Sequence, residues 1–205
     1  MKPMRFFIFF ILILLVSLDG YGQAVLENQV ITTLLNDGNK LIPKYKISKR
    51  KGRIKTFNRH KVPELVLLNV TTSPLRDAQF DTLNMFERKV LLSKDRQMLH
   101  DFCEKNKVSL KINPVAGLEK EITYISSLER KKIFAKKGDW RAYYGNYGVK
   151  PFVSISRPGF NQKMNKAFIY ITYSLGKNDG AGYYLVMCKS WGKWRIKGNM
   201  LIWVL

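Results

Sequence analysis

The sequence is poor in the residues that carry most metal and covalent chemistry. Its 205 residues include two cysteines, Cys103 and Cys188, and two histidines, His60 and His100. His100 and Cys103 are three residues apart and would share one face of a helix, but a zinc site needs three or four ligands. A Cys–His nucleophile needs a thiol in contact with an imidazole, and nothing in the sequence supports that contact. We therefore predict no metal site, no cofactor, and two buried thiols rather than a disulfide.

Catalytic sequence motifs are missing as well. No glycine-rich phosphate loop precedes a helix, and no G-x-S-x-G elbow is present. Acidic residues, which often serve as general acids and bases, number only 15 and are scattered along the chain. These absences favour a binding function over an enzymatic one.

Only one long apolar run is present, and it lies at the N-terminus. A short basic start is followed by almost entirely apolar residues over 6–18. This length is typical of a signal peptide and falls short of the ~18 residues of a membrane helix. Gly20 and Gly22 suit a signal peptidase, so we predict cleavage before Gln23 and export to the periplasm or the medium, with no integral membrane segment afterwards. An uncleaved N-terminal anchor is the alternative.

The scarcity of acids leaves a large positive charge. Without residues 1–22 the chain has 34 basic and 14 acidic residues, a net charge of +20. Such a field favours anionic partners, namely nucleic acid, anionic lipid headgroups or anionic glycans. The alternative is a lysine-rich composition without functional meaning.

The positive charge is concentrated in residues 40–61, which contain ten Lys or Arg residues and no acid. Apolar and aromatic residues on both sides of Lys51-Gly52-Arg53 predict a basic β-hairpin, with a loop as the alternative. The residues predicted to contact a polyanion are Lys49, Arg50, Lys51, Arg53, Lys55 and Arg59.

The pattern of elements predicts three parts: a signal peptide over 1–22, an N-terminal helix and basic segment over 23–62, and an α+β domain over 63–205. Residues 25–36 carry a helical stripe of Val25, Leu26, Val30, Ile31, Leu34 and Leu35. Strands are predicted over 64–70, 108–112 and 121–125. Helices are predicted over 94–106, capped by Ser93, over 126–134, with Ser126 and Glu129 at capping-box spacing, and after Asp139.

The last third of the chain is rich in aromatic and β-branched residues, which predicts strands. They cover Phe152–Arg157, Lys166–Tyr173, Ala181–Lys189 and Lys193–Val204. Their short connections indicate a four-stranded antiparallel meander. The predicted fold class is α+β, with this meander packed against helices.

Arg157 is the strongest candidate for a binding pocket, together with Tyr183. It ends a predicted strand, precedes Pro158, and could bind a carboxylate or phosphate in bidentate fashion. The favoured alternative is that Arg157 pairs with an acid of its own domain and stabilises the turn, in which Gly159 permits a sharp reversal. All four tryptophans lie at or beyond residue 140. They would form a stacking platform if exposed, although such residues more often fill a core.

The C-terminal third resembles a family of secreted bacterial proteins of uncharacterised function. The likeness is carried by S-R-x-G-F-N at 156–161, the segments 167–170, 180–185 and 192–196, and the final Trp203-Val204. It implies export and transfers no activity or catalytic residue. That family often has cysteines between its second and third strands, and here the corresponding segment 174–179 has none.

These features together predict an exported globular protein that binds an anionic envelope component or polyanion through residues 40–61. One alternative is an envelope hydrolase or transferase with its site near Arg157. Another is a module that binds a protein through its sheet edge.

Overall fold

The computed structural model describes residues 22–37, 64–72, 91, 93–119, 121–135 and 140–205. Most of the predicted signal peptide and all of the predicted basic hairpin lie outside these residues. The described part contains four α-helices and seven strands. The helices are α1 (residues 22–37), α2 (Arg96–Lys105), α3 (Ser127–Ile133) and α4 (Trp140–Tyr147). The strands are β1 (Glu64–Leu68), β2 (Glu121–Ile125), β3 (Phe152–Ile155), β4 (Gly159–Phe160), β5 (Lys166–Gly176), β6 (Asp179–Ser190) and β7 (Lys193–Val204).

The C-terminal strands form the antiparallel meander that the sequence predicts. β3, β5, β6 and β7 are neighbours in this order, and each pair is antiparallel. Two-residue turns, Lys177-Asn178 and Trp191-Gly192, join the last three strands. β3 ends at Ile155 rather than at the predicted Arg157, because the backbone amide and carbonyl of Arg157 are bonded to the Asn106 side chain and not to β5. The short strand β4 then resumes the pairing with β5.

The fold class is α+β, as predicted, within a mixed sheet. β1 lies between β2 and β3 and is parallel to both, which gives the order β2-β1-β3-β5-β6-β7. The predicted strand over 108–112 is wrong, because the structure has only a single bridge there, between Lys111 and Val70. Val108 and Leu110 are exposed, so this run lacks the burial that stabilises an apolar strand within a sheet.

Helices cover both faces of the sheet. On one face, Val30, Ile31, Leu34 and Leu35 of α1 are at most 5% exposed and share a core with β1, β3, β5, β6 and β7. The helical stripe predicted over 25–36 is therefore confirmed for its C-terminal part. α2 packs on the opposite face of β5 and β6, and α3 and α4 cover β1, β2 and β3 on that same face.

Local details agree with the sequence only in part. Ser126 Oγ accepts a 3.1 Å hydrogen bond from the Glu129 amide, which confirms the predicted cap of α3. Ser93 does not cap α2, because a 3₁₀ turn over Ser93–Asp95 precedes the helix. Cys103 and Cys188 are free, as predicted, but half-buried rather than buried. None of the helices within the described ranges has the length and apolar character needed to cross a bilayer.

Candidate functional site

Arg157 is held by a carboxylate of the protein itself. Its Nη2 lies 2.9 Å from Glu27 Oε1, and its Nε lies 3.3 Å from Glu27 Oε2. Two parallel bonds of this kind are the geometry that a guanidinium and a carboxylate prefer. Because Glu27 belongs to α1, the ion pair ties the N-terminal helix to the loop that follows β3.

Lys105 of α2 joins the same group of charges. Its Nζ lies 3.4 Å from Glu27 Oε1 and 2.8 Å from Asp101 Oδ2, and it sits over the ring of Phe160. We call Glu27, Asp101, Lys105 and Arg157 the ion-pair cluster. Its two carboxylates balance its two cations, and the Lys105 and Glu27 side chains are only 9% and 14% exposed. The cluster is thus neutral and largely closed to solvent, which favours a structural role.

Arg157 and Tyr183, which the sequence suggested for one pocket, have different hydrogen-bond partners among the described residues. Tyr183 lies buried in β6, with its hydroxyl 3.5 Å from that of Tyr173. The side chain of Asn106 holds the backbone of Arg157. Asn106 Oδ1 accepts a 2.8 Å hydrogen bond from the Arg157 amide, and Asn106 Nδ2 donates a 2.9 Å hydrogen bond to the Arg157 carbonyl. Among the described residues the two side chains therefore have different partners.

Most of the late aromatic residues pack in the interior, with one exception. Trp194 is 5% exposed, and half-buried Trp203 donates a 2.7 Å hydrogen bond to the Tyr170 hydroxyl. Trp140, the first residue of α4, packs against the rings of Phe134 and Tyr143. Trp191 is 96% exposed at the β6–β7 turn. The structure therefore offers a single exposed indole where the sequence suggested a platform of several.

The half-buried Cys103 thiol and three tyrosine hydroxyls have raised pKa values, which favour their protonated forms. Burial raises the pKa of the Cys103 thiol and raises the pKa of Tyr143 and Tyr184 well above the ordinary value. Burial and the hydrogen bond to Glu129 raise the pKa of Tyr147 to about 12. A nucleophile that acts at neutral pH needs a lowered pKa or an adjacent base, so these shifts do not describe an activated catalytic group.

A polar cleft opens between α1 and the β6–β7 turn, and we call it the α1 cleft. Its volume is about 420 Å³, within the range of small-ligand sites. Five residues of α1 at helical spacing form one wall, and Glu119 and the start of β7 complete the lining. The lining residues are Gln29, Thr32, Thr33, Asn36, Asp37, Glu119, Gly192, Lys193 and Trp194.

Hydrogen bonds fix the loop before β2 against α1. Thr32 Oγ1 donates to the Ala116 carbonyl at 3.3 Å, and Asn36 Nδ2 donates to the Gly117 carbonyl at 3.2 Å. The Glu119 amide donates to Asn36 Oδ1 at 3.0 Å. The wall of the α1 cleft is thus built by tertiary contacts and does not depend on a ligand.

Three exposed cations follow one another at alternate positions of β7, an edge strand of the described sheet. Lys193, Arg195 and Lys197 have no ion-pair partner among the described residues. Trp194 and Ile196, which alternate with them, face the core beneath α1. We call these three cations the β7 cation row. The row is not among the sites predicted from the sequence, although the alternation in K-W-R-I-K is the signal that would identify it.

Six basic residues were predicted to contact a polyanion, and all of them lie outside the described residues. They are Lys49, Arg50, Lys51, Arg53, Lys55 and Arg59.

Comparisons of the chain with protein-family models, curated protein sequences and solved structures give no match. Functional inference therefore depends on the chemistry and placement of the residues themselves.

Proposed function

We propose that the protein binds an anionic polymer or lipid headgroup of the cell envelope through a basic surface that includes the β7 cation row. The observation that carries the proposal is that Lys193, Arg195 and Lys197 are exposed together and have no carboxylate partner among the described residues. We favour binding over hydrolysis or group transfer because Arg157, the centre of the predicted enzyme site, is bound to Glu27.

Strand geometry gives the first two cations of the row a common direction. Alternate residues of a strand point to the same face and are about 6.8 Å apart, so Lys193 and Arg195 project together on the face opposite Trp194. Lys197 follows at a bulge opposite Met187. Ammonium and guanidinium groups in a row suit a ligand with repeated anionic groups.

The neighbouring carboxylate on this face is already neutralised. Arg195 pairs with Cys188 across the sheet, and Cys188 pairs with Lys166. Lys166 Nζ lies 2.8 Å from Asp95 Oδ1. Among the described residues, Asp95 is therefore paired with Lys166 and not with Arg195.

The row is distinct from other exposed cations of the described part. Arg130, Lys131 and Lys132 are consecutive residues of α3 and are exposed. Consecutive helical residues point about 100° apart, so these three cannot line up along one polymer. They provide a control of equal charge.

Salt dependence of binding tests the proposal. We expect Lys193→Gln, Arg195→Gln and Lys197→Gln together to lower the log–log slope of affinity against salt by roughly 2 to 3 on a short DNA duplex, at about 0.9 per lost phosphate contact. Arg130→Gln, Lys131→Gln and Lys132→Gln together should change the slope by less than about 1. Fluorescence anisotropy over a salt series measures both, and vesicles with anionic phospholipid test the headgroup source.

An equal decrease in the salt slope for the β7 triple variant and the α3 triple variant would contradict the proposal, because it would mean that only the net charge of the protein matters. Charged side chains on an edge strand also discourage sheet-to-sheet association. Size-exclusion chromatography of the β7 variant therefore has to show an unchanged oligomeric state. The same assay tests the predicted basic segment over residues 40–61. A variant with Gln in place of Lys49, Arg50, Lys51, Arg53 and Lys55 should lower the log–log slope of affinity against salt further.

Export is the second part of the proposal. Cleavage before Gln23 would leave intact the α1 residues that pack on the sheet, since the first of them is Leu26. We expect the intact mass of protein recovered from the envelope or the medium to correspond to a chain that starts at Gln23. A mass that retains residues 1–22 would contradict this expectation and indicate an anchored protein.

A further inference from the structure

The β6–β7 turn contains a tryptophan that folding does not explain. Trp191 has φ of 51° and Gly192 has φ of 75°, the left-handed conformations of a two-residue turn in which Asn, Asp and Gly are favoured. A bulky residue in this region is an outlier. The indole is 96% exposed, so it does not compensate for its conformation by packing in the core.

Trp191 lies beside the α1 cleft, because the three residues that follow it form part of the cleft lining. One of them, Trp194, is buried against Phe160 at a ring distance of 5.9 Å. Its Nε1 is buried without a hydrogen-bond acceptor, which is uncommon for a buried polar group. The turn therefore provides an indole in solvent, and β7 provides a second indole in the cleft wall.

The opposite wall provides two polar groups that have no hydrogen-bond partner among the described residues. Thr33 Oγ1 and the Glu119 carboxylate make no hydrogen bond among the described residues. Thr32 and Asn36, by contrast, are engaged with the loop before β2. A hydroxyl and a carboxylate on a fixed wall can donate to and accept from the hydroxyl groups of a ligand.

The charges of the α1 cleft distinguish its ligand from that of the β7 cation row. The cleft is lined by two carboxylates, Asp37 and Glu119, and by one cation, Lys193. This balance disfavours a polyanion within the cleft. An exposed flat apolar ring beside hydroxyl, amide and carboxylate groups suits a ligand with a flat C–H face and many hydroxyl groups.

We propose that the α1 cleft binds a neutral β-linked oligosaccharide, with one sugar ring against the polar wall and the next stacked on Trp191. Equatorial substituents give such sugars an apolar face that packs on an indole, and their hydroxyl groups match Thr33 and Glu119. This site shares Lys193 with the basic surface of the proposed function, but the proposal does not depend on that function.

Titration calorimetry with the purified protein tests the proposal, with β-1,4-linked tetramers of glucose and of N-acetylglucosamine as probes. We expect at least one tetramer to bind and to quench tryptophan fluorescence, because Trp191 is the exposed indole of the described part. Trp191→Ala should weaken binding about tenfold, as loss of an interfacial tryptophan commonly does. Glu119→Gln should weaken binding about threefold or more by removal of a charge-assisted acceptor, and Trp191→Phe should retain most of the affinity.

Leu128→Ala is the matched control, because Leu128 is 64% exposed on α3, which packs on the face of the sheet opposite α1. The affinity of the Leu128→Ala variant for the tetramer should equal that of the unchanged protein. Binding of a neutral sugar should also be the same at about 50 and about 200 mM salt, unlike binding to DNA. Absence of binding by both tetramers, or unchanged affinity in Trp191→Ala, would overturn the proposal.

Discussion

We expect Gly159→Ala to lower the free energy of unfolding by about 3 kcal/mol, at the upper end of the effects of overpacking. A Cβ at residue 159 would lie 2.3 Å from the backbone nitrogen and 2.5 Å from the Cα of Phe102. These are backbone atoms of α2, so no side-chain rotation relieves the contact and the helix has to move. Phe102 is fully buried, with its ring 4.9 Å from that of Phe168, so a displaced α2 also loses core packing.

Gly145→Ala is the control for this prediction. Gly145 lies within α4, and an added Cβ meets nothing within 4 Å. Alanine should therefore stabilise the protein by about 0.5–1 kcal/mol, because it removes the conformational entropy cost of a helical glycine. Urea denaturation of both variants measures the two effects, which have opposite signs. Equal stability of Gly159→Ala and the unchanged protein would mean that α2 does not approach β4 as closely as the structure shows.

Gly159 also shows what the sequence could and could not predict. Its position after Pro158 suggested a sharp reversal of the chain, yet the structure makes it a close-approach glycine for Phe102. The turn was visible because proline and glycine act locally. The contact with α2 was not, because it joins residues that are 57 positions apart.

The same distinction applies to the sheet. The meander of β3, β5, β6 and β7 could be predicted because aromatic and β-branched runs alternate with short turns. The parallel pairing of β1 with β2 and β3 joins segments separated by long stretches of chain. No local pattern specifies which such segments become neighbours, so the mixed character of the sheet required the structure.

The candidate sites divide in a similar way. The sequence identified the basic residues over 40–61 and the cluster of late tryptophans, since both are visible in composition. It could not separate the exposed Trp191 from the buried Trp194, because burial depends on which face of β7 meets α1. The α1 cleft draws its residues from α1, the loop before β2 and the β6–β7 turn, and only the fold brings these three segments together.

Glu27→Ala is the second substitution with a large expected effect, a loss of about 3 kcal/mol in the free energy of unfolding, at the low end for broken buried ion pairs because Glu27 and Arg157 are partly exposed. The carboxylate of Glu27 serves both Arg157 and Lys105. Its removal leaves the Arg157 guanidinium, 23% exposed, without its acid, and leaves the Lys105 ammonium, 9% exposed, with Asp101 alone. Arg157→Ala should cost less, about 1–3 kcal/mol, because Glu27 then retains Lys105 as a partner.

A double-mutant cycle decides whether the ion-pair cluster acts in this way. Because Glu27→Ala already removes the partner of Arg157, adding Arg157→Ala should cost little more or restore some stability, whereas two independent sites would give a simple sum. Chemical denaturation of the two single variants, the double variant and the unchanged protein supplies the four free energies. Additive losses would mean that Glu27 and Arg157 are not coupled. Unchanged stability of Arg157→Ala together with lost binding or activity would assign Arg157 to a ligand site and favour the enzymatic alternative, since a residue that only ties α1 to the loop after β3 has to contribute to stability.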